Sequence, residues 1–282
     1  MKKVFFFFCL MLVVSFTRAT YAYTIFVDKS GLYHDAGLPD WLRSLGNTVT
    51  TVNDYSGENL SSYDMVMDFG YDQFTGLNSL KKAAYSSYLG GGGSLYLQGE
   101  KPSVYGYYDT ILLNYLKNDL GAGPITALMT QDLYLPPSNS EVTTVSPVTS
   151  DTSLNYLVDY SLGITNPGNG FFVVHTYKRA NVETWPYTYE LGDWSNIIGF
   201  DHGDLSNFPA GKLIASFDIT YLNVNGAPFQ TNQVVLKKIV DYLGTDPVLR
   251  AYTVPEPSTF GLIGMGVLTI VAGNFRRKRR KL

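Results

Sequence analysis

The chain has 282 residues, 45% of them apolar and 15% aromatic, with 24 acidic side chains against 21 basic ones and a single cysteine, Cys9. One thiol, placed so near the start, excludes a disulfide, a cysteine nucleophile and a thiolate metal site from everything after it. Nine of the basic residues sit in the two ends, so residues 23–253 hold 12 basic and 23 acidic side chains, a net −11 that repels nucleic acid and anionic lipid.

Lys2 and Lys3 precede an unbroken apolar run from Val4 to Val14, and small residues at Ala19 and Ala22 follow. This order predicts a secretory signal peptide over 1–22, read by signal peptidase. The run is shorter than the roughly 20 residues that span a bilayer.

Residues 23–246 then read as one α/β domain. A β-rich apolar segment runs from Tyr23 to Asp28; Trp41, Leu42 and Leu45 form a short helical face stopped by Gly46; Thr48–Val52 and Met65–Phe69 are strands. Leu77, Leu80, Ala83, Ala84, Tyr88 and Leu89 recur at helical spacing until Gly90–Gly93 ends the helix. Ser94–Gln98 is a fourth strand, Asp109 can cap a helix carrying Ile111, Leu112, Leu113, Tyr115, Leu116 and Leu120, and Ile125–Met129 is a fifth strand. Strands alternating with helices at short spacing require crossover connections, which predicts a doubly wound, flavodoxin-like and mostly parallel sheet with helices on both faces.

The pattern breaks over 131–170, where a Pro-Pro-Ser-Asn-Ser run and a Thr/Ser/Val stretch predict a loop-rich insertion. Extra β segments follow at Gly170–Tyr177, Ile197–Phe200 and Lys212–Phe217. Asn232 then caps a last helix that bears Val234, Val235, Leu236, Ile239, Val240 and Leu243. Residues 247–253 form a linker.

At the far end, Val254-Pro255-Glu256-Pro257-Ser258 precedes an apolar stretch, read as a membrane-spanning segment over about 259–275, and then six cations from Arg276 to Lys281. The cations stay on the cytoplasmic side. Pro255, Glu256 and Pro257 with the helix and basic cluster after them resemble the PEP-CTERM sorting signal. That resemblance implies recognition by an exosortase, a Gram-negative host with an extracellular polysaccharide matrix, export across the inner membrane, temporary anchoring by the tail, and delivery to the cell surface or matrix.

The strand Val66–Gly70, and Tyr88-Leu89-Gly90-Gly91-Gly92-Gly93 leading into Ser94–Leu97, resemble class I glutamine amidotransferase-like domains over most of residues 23–244. In catalytic members a cysteine follows that strand, but this chain has Gln98-Gly99-Glu100. No acyl intermediate can form on those side chains. The resemblance therefore implies a relative without thioester chemistry.

Ligands of open α/β sheets bind outside the carboxyl ends of the strands, which places Asp28, Asp68 and Glu100 at three such ends, with His34 and Asp35 on the first loop. Together they form a candidate cleft for a hard cation or for acid/base chemistry, with Asp68 and Glu100 as the pair a polysaccharide hydrolase or lyase needs. The simpler account is that strand ends are polar because they meet water. Asp201-His202-Gly203-Asp204 offers Asp201 and Asp204 as calcium ligands in a calcium-stabilised scaffold, although an Asp-rich turn bonding its own backbone explains it as well. His175 reads as a core or edge histidine. No Gly-x-Ser-x-Gly elbow is present, and the glycine run lacks the Lys-Ser/Thr of a phosphate loop. The reading these residues favour is an exported, non-catalytic surface or matrix protein that needs no cofactor and binds carbohydrate, such as exopolysaccharide, or protein.

Overall fold

A computed structural model describes residues 22–29, 37–69, 77–99, 110–135, 142–143, 148, 158–181, 188–217 and 230–245. Tyr21–Gly244 forms one compact unit. Almost all of the expected signal peptide, the linker and the tail lie outside the described residues, as do His34, Asp35, Glu100 and Asp109. Among the described residues no helix is long and apolar enough to cross a membrane.

The elements follow in chain order as β1 (Thr24–Asp28), α1 (Leu38–Ser44), β2 (Thr48–Val52), β3 (Met65–Asp68), α2 (Ser79–Gly90) and β4 (Ser94–Gln98). A helix α3 over 110–114 continues into a π-helical turn, Tyr115–Asp119. Then come β5 (Ile125–Leu135), β6 (Val142–Thr143), β7 (Val158–Pro167), β8 (Phe171–Phe172), β9 (His175–Asn181), β10 (Thr188–Trp194), β11 (Ile197–Phe200), β12 (Lys212–Ser216) and α4 (Gln230–Gly244).

Seven strands make the main sheet in the order β2-β1-β3-β4-β12-β11-β8. The first five run parallel, while β11 and β8 continue the sheet antiparallel. Residues alternate between its faces. Ile25, Val27, Met65, Met67, Tyr96 and Ile214 pack under α1 and α4, and Phe26, Val66, Leu95, Leu97, Leu213 and Ala215 pack under α2 and α3. Helices therefore cover both faces, and the inner parallel strands β1, β3, β4 and β12 are almost wholly buried because neither of their faces meets water.

A second, antiparallel sheet of order β10-β9-β5-β7, with β6 on β9, occupies part of the stretch read as loop-rich. Ile164 of β7 exchanges both backbone bonds, at 2.7 and 2.9 Å, with Ser195 in the short link from β10 to β11 of the main sheet. The segment Gly170–Tyr177, expected as one strand, is two. Phe171 and Phe172 pair with β11, the buried Val173 and Val174 turn the chain, and His175 starts a strand of the second sheet. Asn232 lies inside α4, which starts at Gln230 instead of at an Asn232 cap.

The two sheets and α3 are stitched by backbone turns that need glycine. Gly121, Gly123 and Gly168 have φ of 72, 80 and 71°. Asn169 N–H donates to Ala122 O at 2.8 Å, and Asn207 Nδ2 donates to Asp119 O at 2.9 Å. A Cβ on Gly168 would sit 2.3 Å from Ala122 O, whereas one on Gly46, with φ of 93°, would meet open space. Gly46→Ala should therefore cost only the left-handed penalty of about 1 kcal/mol, and Gly168→Ala more than about 2 kcal/mol, since backbone must also move. Urea unfolding midpoints of the two variants check the ranking; equal losses would contradict it.

Candidate functional site

In a sheet of order 2-1-3-4 the switch point lies between β1 and β3, and the crevice there opens at the carboxyl ends of the strands. Asp28 and Asp68 end those two strands in the same register. As parallel partners they point to the same face, toward α2. The sequence placed both at this edge, and the structure brings them together and closes them in: each is 0% exposed.

What joins them is Lys81. Its ammonium lies 2.7 Å from Asp28 Oδ2 and 3.5 Å from Asp68 Oδ1, and it too is 0% exposed. Lys81 sits in the first turn of α2, whose N-cap Asn78 accepts the Lys81 N–H through Oδ1 at 2.9 Å. A helix N-terminus disfavours a cation, so the two carboxylates account for the lysine's presence. Four residues on, and hence on the same helix face, the Tyr85 hydroxyl donates to Asp68 Oδ2 at 2.8 Å. The Tyr55 N–H donates to Asp28 Oδ2 at 3.1 Å, and the Tyr55 and Tyr85 rings stand 6.2 Å apart over the cluster.

Burial alone would depress the Lys81 pKa and is the largest single influence on it. The Asp68 and Asp28 carboxylates, the bond to Asp28 and the more distant Asp54 outweigh burial, and the pKa rises above the ordinary 10.5. Lys81 is therefore held charged. With a carboxylate on either side, it serves as their counter-ion.

Sequence reasoning missed Lys81. The expected helical face named Leu80 and Ala83, but Leu80 is 50% exposed and Ala83 is exposed as well. The buried line is Leu77, Lys81, Tyr85, Tyr88 and Leu89. Its 3.6-residue spacing was legible; a lysine within it was the one signal.

On the opposite face of the edge, Gln98 ends β4. It is fully buried, accepts from the Tyr96 hydroxyl and donates through Nε2 to Gly99 O. Its neighbour across the ladder is Ser216, also buried.

Asp201 and Asp204 lie at the other end of the sheet, beside the start of β12, so they do not belong with Asp28 and Asp68. The turn bonds itself: Asp204 Oδ2 accepts the Asp201 N–H at 2.8 Å, and Asp201 Oδ1 accepts the His202 N–H at 2.9 Å. The buried Lys212 ammonium lies 3.9 Å from Asp201 Oδ1 and 4.8 Å from the centre of the Tyr242 ring. Burial first, and then Asp201, push the Tyr242 hydroxyl pKa well up. Among the described residues no three His, Cys, Asp or Glu side chains gather into a metal-binding group.

The PEP-CTERM protein-sorting motif matches residues 253–280. Comparison with curated proteins gave no match. Among solved structures the chain is similar to the mmIFT52 N-terminal domain, with a TM-score of 0.56 and 14% identity over 79% of this chain and 98% of that one. It is similar also to a cytoplasmic protein from Salmonella typhimurium, with a TM-score of 0.44 and 13% identity over 77% and 97% of the two chains. At this identity the first likeness shows a shared mixed α/β fold and nothing of activity.

Removing only the cation leaves two buried carboxylates without their counter-ion, a change that costs about 3–5 kcal/mol. Lys81→Met should therefore be far more destabilised than Asp28→Asn/Lys81→Met/Asp68→Asn, which removes every charge while keeping shape, and urea unfolding of both measures the gap. The pH dependence has a fixed sign. With its folded pKa raised above 10.5, Lys81 contributes fully below pH 10.5, and the contribution is lost as pH climbs through the raised value. The difference in stability between wild type and Lys81→Met should shrink on that side.

Proposed function

We propose that this protein is exported, sorted by an exosortase and displayed at the cell surface or in the surrounding matrix, where its α/β domain serves a binding or structural role without catalysis. The match of residues 253–280 to the PEP-CTERM motif carries the first half of this reading. Pro255-Glu256-Pro257, the apolar stretch and the terminal cations supply recognition, membrane insertion and orientation in that order. Signal peptidase, exosortase and the inner membrane are then the partners of transit.

The second half rests on the state of the polar groups at the sheet's carboxyl edge. Glycoside hydrolysis needs two carboxyl groups on either side of a sugar, roughly 5 to 9.5 Å apart, with one able to give a proton. Of the pair expected for that role, Asp68 is closed to solvent and shares the Lys81 ammonium with Asp28, and Glu100 lies outside the described residues. In the glutamine amidotransferase-like reading of the domain, the buried Gln98 stands at the end of the strand where the nucleophile would follow, and an amide there forms no acyl intermediate. On this reading the domain offers shape and surface hydrogen bonds to a polysaccharide or protein.

Intact-mass analysis of the protein from its native cells, with and without the host exosortase, tests the reading. We expect a C-terminus near Pro255 only when the enzyme is present. An unprocessed tail in both strains would make the tail a plain anchor and overturn the proposal.

A further inference from the structure

Among the described residues the main sheet ends at β2, with no strand on its outer side. Its ladder to β1 is parallel, and Thr48 N–H donates to Tyr23 O at 2.8 Å while Lys29 N–H donates to Val52 O at 3.0 Å. In a parallel ladder alternate residues of each strand turn both backbone groups to the partner, so Thr48, Thr50 and Val52 face β1, and Val49 and Thr51 turn their N–H and C=O groups outward. The strand reads Thr-Val-Thr-Thr-Val, uncharged and of high β propensity, with Thr48 and Thr50 exposed. Such an edge is a template for another strand.

One side chain stands on it. Arg43, from the last turn of α1, donates through Nη2 to Val49 O at 3.2 Å. Its other terminal nitrogen, Nη1, is held by Asp40 Oδ1 at 2.7 Å, one helical turn back. Neither group supports the core: their side chains are 44% and 81% exposed. A surface ion pair of this kind adds little stability, which leaves its placement over an outward carbonyl to be explained.

We propose that the Asp40–Arg43 pair guards this edge, and that its role is to stop β2 from pairing with β2 of a second copy of the chain. Antiparallel pairing about a two-fold axis at Thr50 would set Val49 opposite Thr51 of the other copy and use both outward carbonyls in each. Arg43 occupies one of those carbonyls and brings a charge and a planar side chain into the space the second strand would fill. This role rests on the proposed display at a surface, where copies of the chain would meet at high local density and an unguarded edge would extend sheet onto sheet.

The pairing makes a geometric statement that can be trapped. Thr50 would face Thr50 of the other copy as a non-hydrogen-bonded pair, with Cα atoms about 4.5 Å apart, inside the range a disulfide accepts. The full chain in mild detergent, carrying Cys9→Ser and Thr50→Cys, has that one thiol. Under mild oxidation it should give little covalent dimer on non-reducing gels. Adding Arg43→Ala should raise the dimer about tenfold or more, the equivalent of about one hydrogen bond released per copy. Asp40→Ala, which frees Arg43 without removing it, should give a smaller rise and serves if Arg43→Ala folds poorly. Thr51→Pro deletes an outward N–H without touching the β1 ladder, and added to Arg43→Ala it should return the dimer to its starting level. No rise in either guard variant, or a rise that survives Thr51→Pro, overturns the proposal.

Discussion

The ammonium of Lys81 between Asp28 and Asp68 is the contact on which the arrangement of the domain turns. Three ionisable groups without solvent are expensive to assemble, and apolar residues of the same size would do as well for stability alone. What the trio adds is register. Lys81 and Tyr85 reach the two strand ends only if α2 lies at one height and one rotation over β1 and β3. Any slip would leave a buried charge without its partner. The chain after β3 must therefore enter α2 at Asn78, and the same helix must present Tyr88 and Leu89 to the sheet farther along.

From that fixed centre the rest of the architecture extends toward β12. Once β4 and β12 are parallel neighbours, β11 and β8 can add antiparallel, and the chain leaves the main sheet through Val173 and Val174. The second sheet returns at Ile164 and Ser195, and the glycines at 121, 123 and 168 let three turns approach within backbone hydrogen-bond distance. In a domain without a disulfide, close packing of this kind takes the place of covalent links.

Much of the main sheet was legible because buried parallel strands are short apolar runs between turn signals. Met65–Asp68, Ser94–Gln98, Ile197–Phe200 and Lys212–Ser216 all announce themselves in that way. The second sheet was legible only in part. Ile125–Met129 reads as a fifth strand of the parallel series, but it opens β5 of the antiparallel sheet. There β5 and β7 pair through irregular register with bulges, which spoils the alternation that marks a strand. Nor does local sequence show that Phe171-Phe172 and His175 belong to different sheets, since both halves have β composition and only tertiary pairing separates them. Asp28 and Asp68 could be placed at the sheet's edge from their positions at strand ends. Their meaning could not, since it depends on Lys81, and hydrophobic patterning assigns a lysine to water and Leu80 to the core. The structure reverses both.

That reversal bears on what a doubly wound domain can do once it is exported. The crevice at the β1/β3 switch point exists because the following helices, α1 and α2, pass to opposite faces and leave a gap at the carboxyl edge. In open α/β sheets such a gap is where ligands bind. Here the chain completes it with its own cation and its own tyrosine hydroxyl. The ends of β1 and β3 are thereby satisfied by the chain itself, so neither carboxylate depends on a bound molecule for its partner.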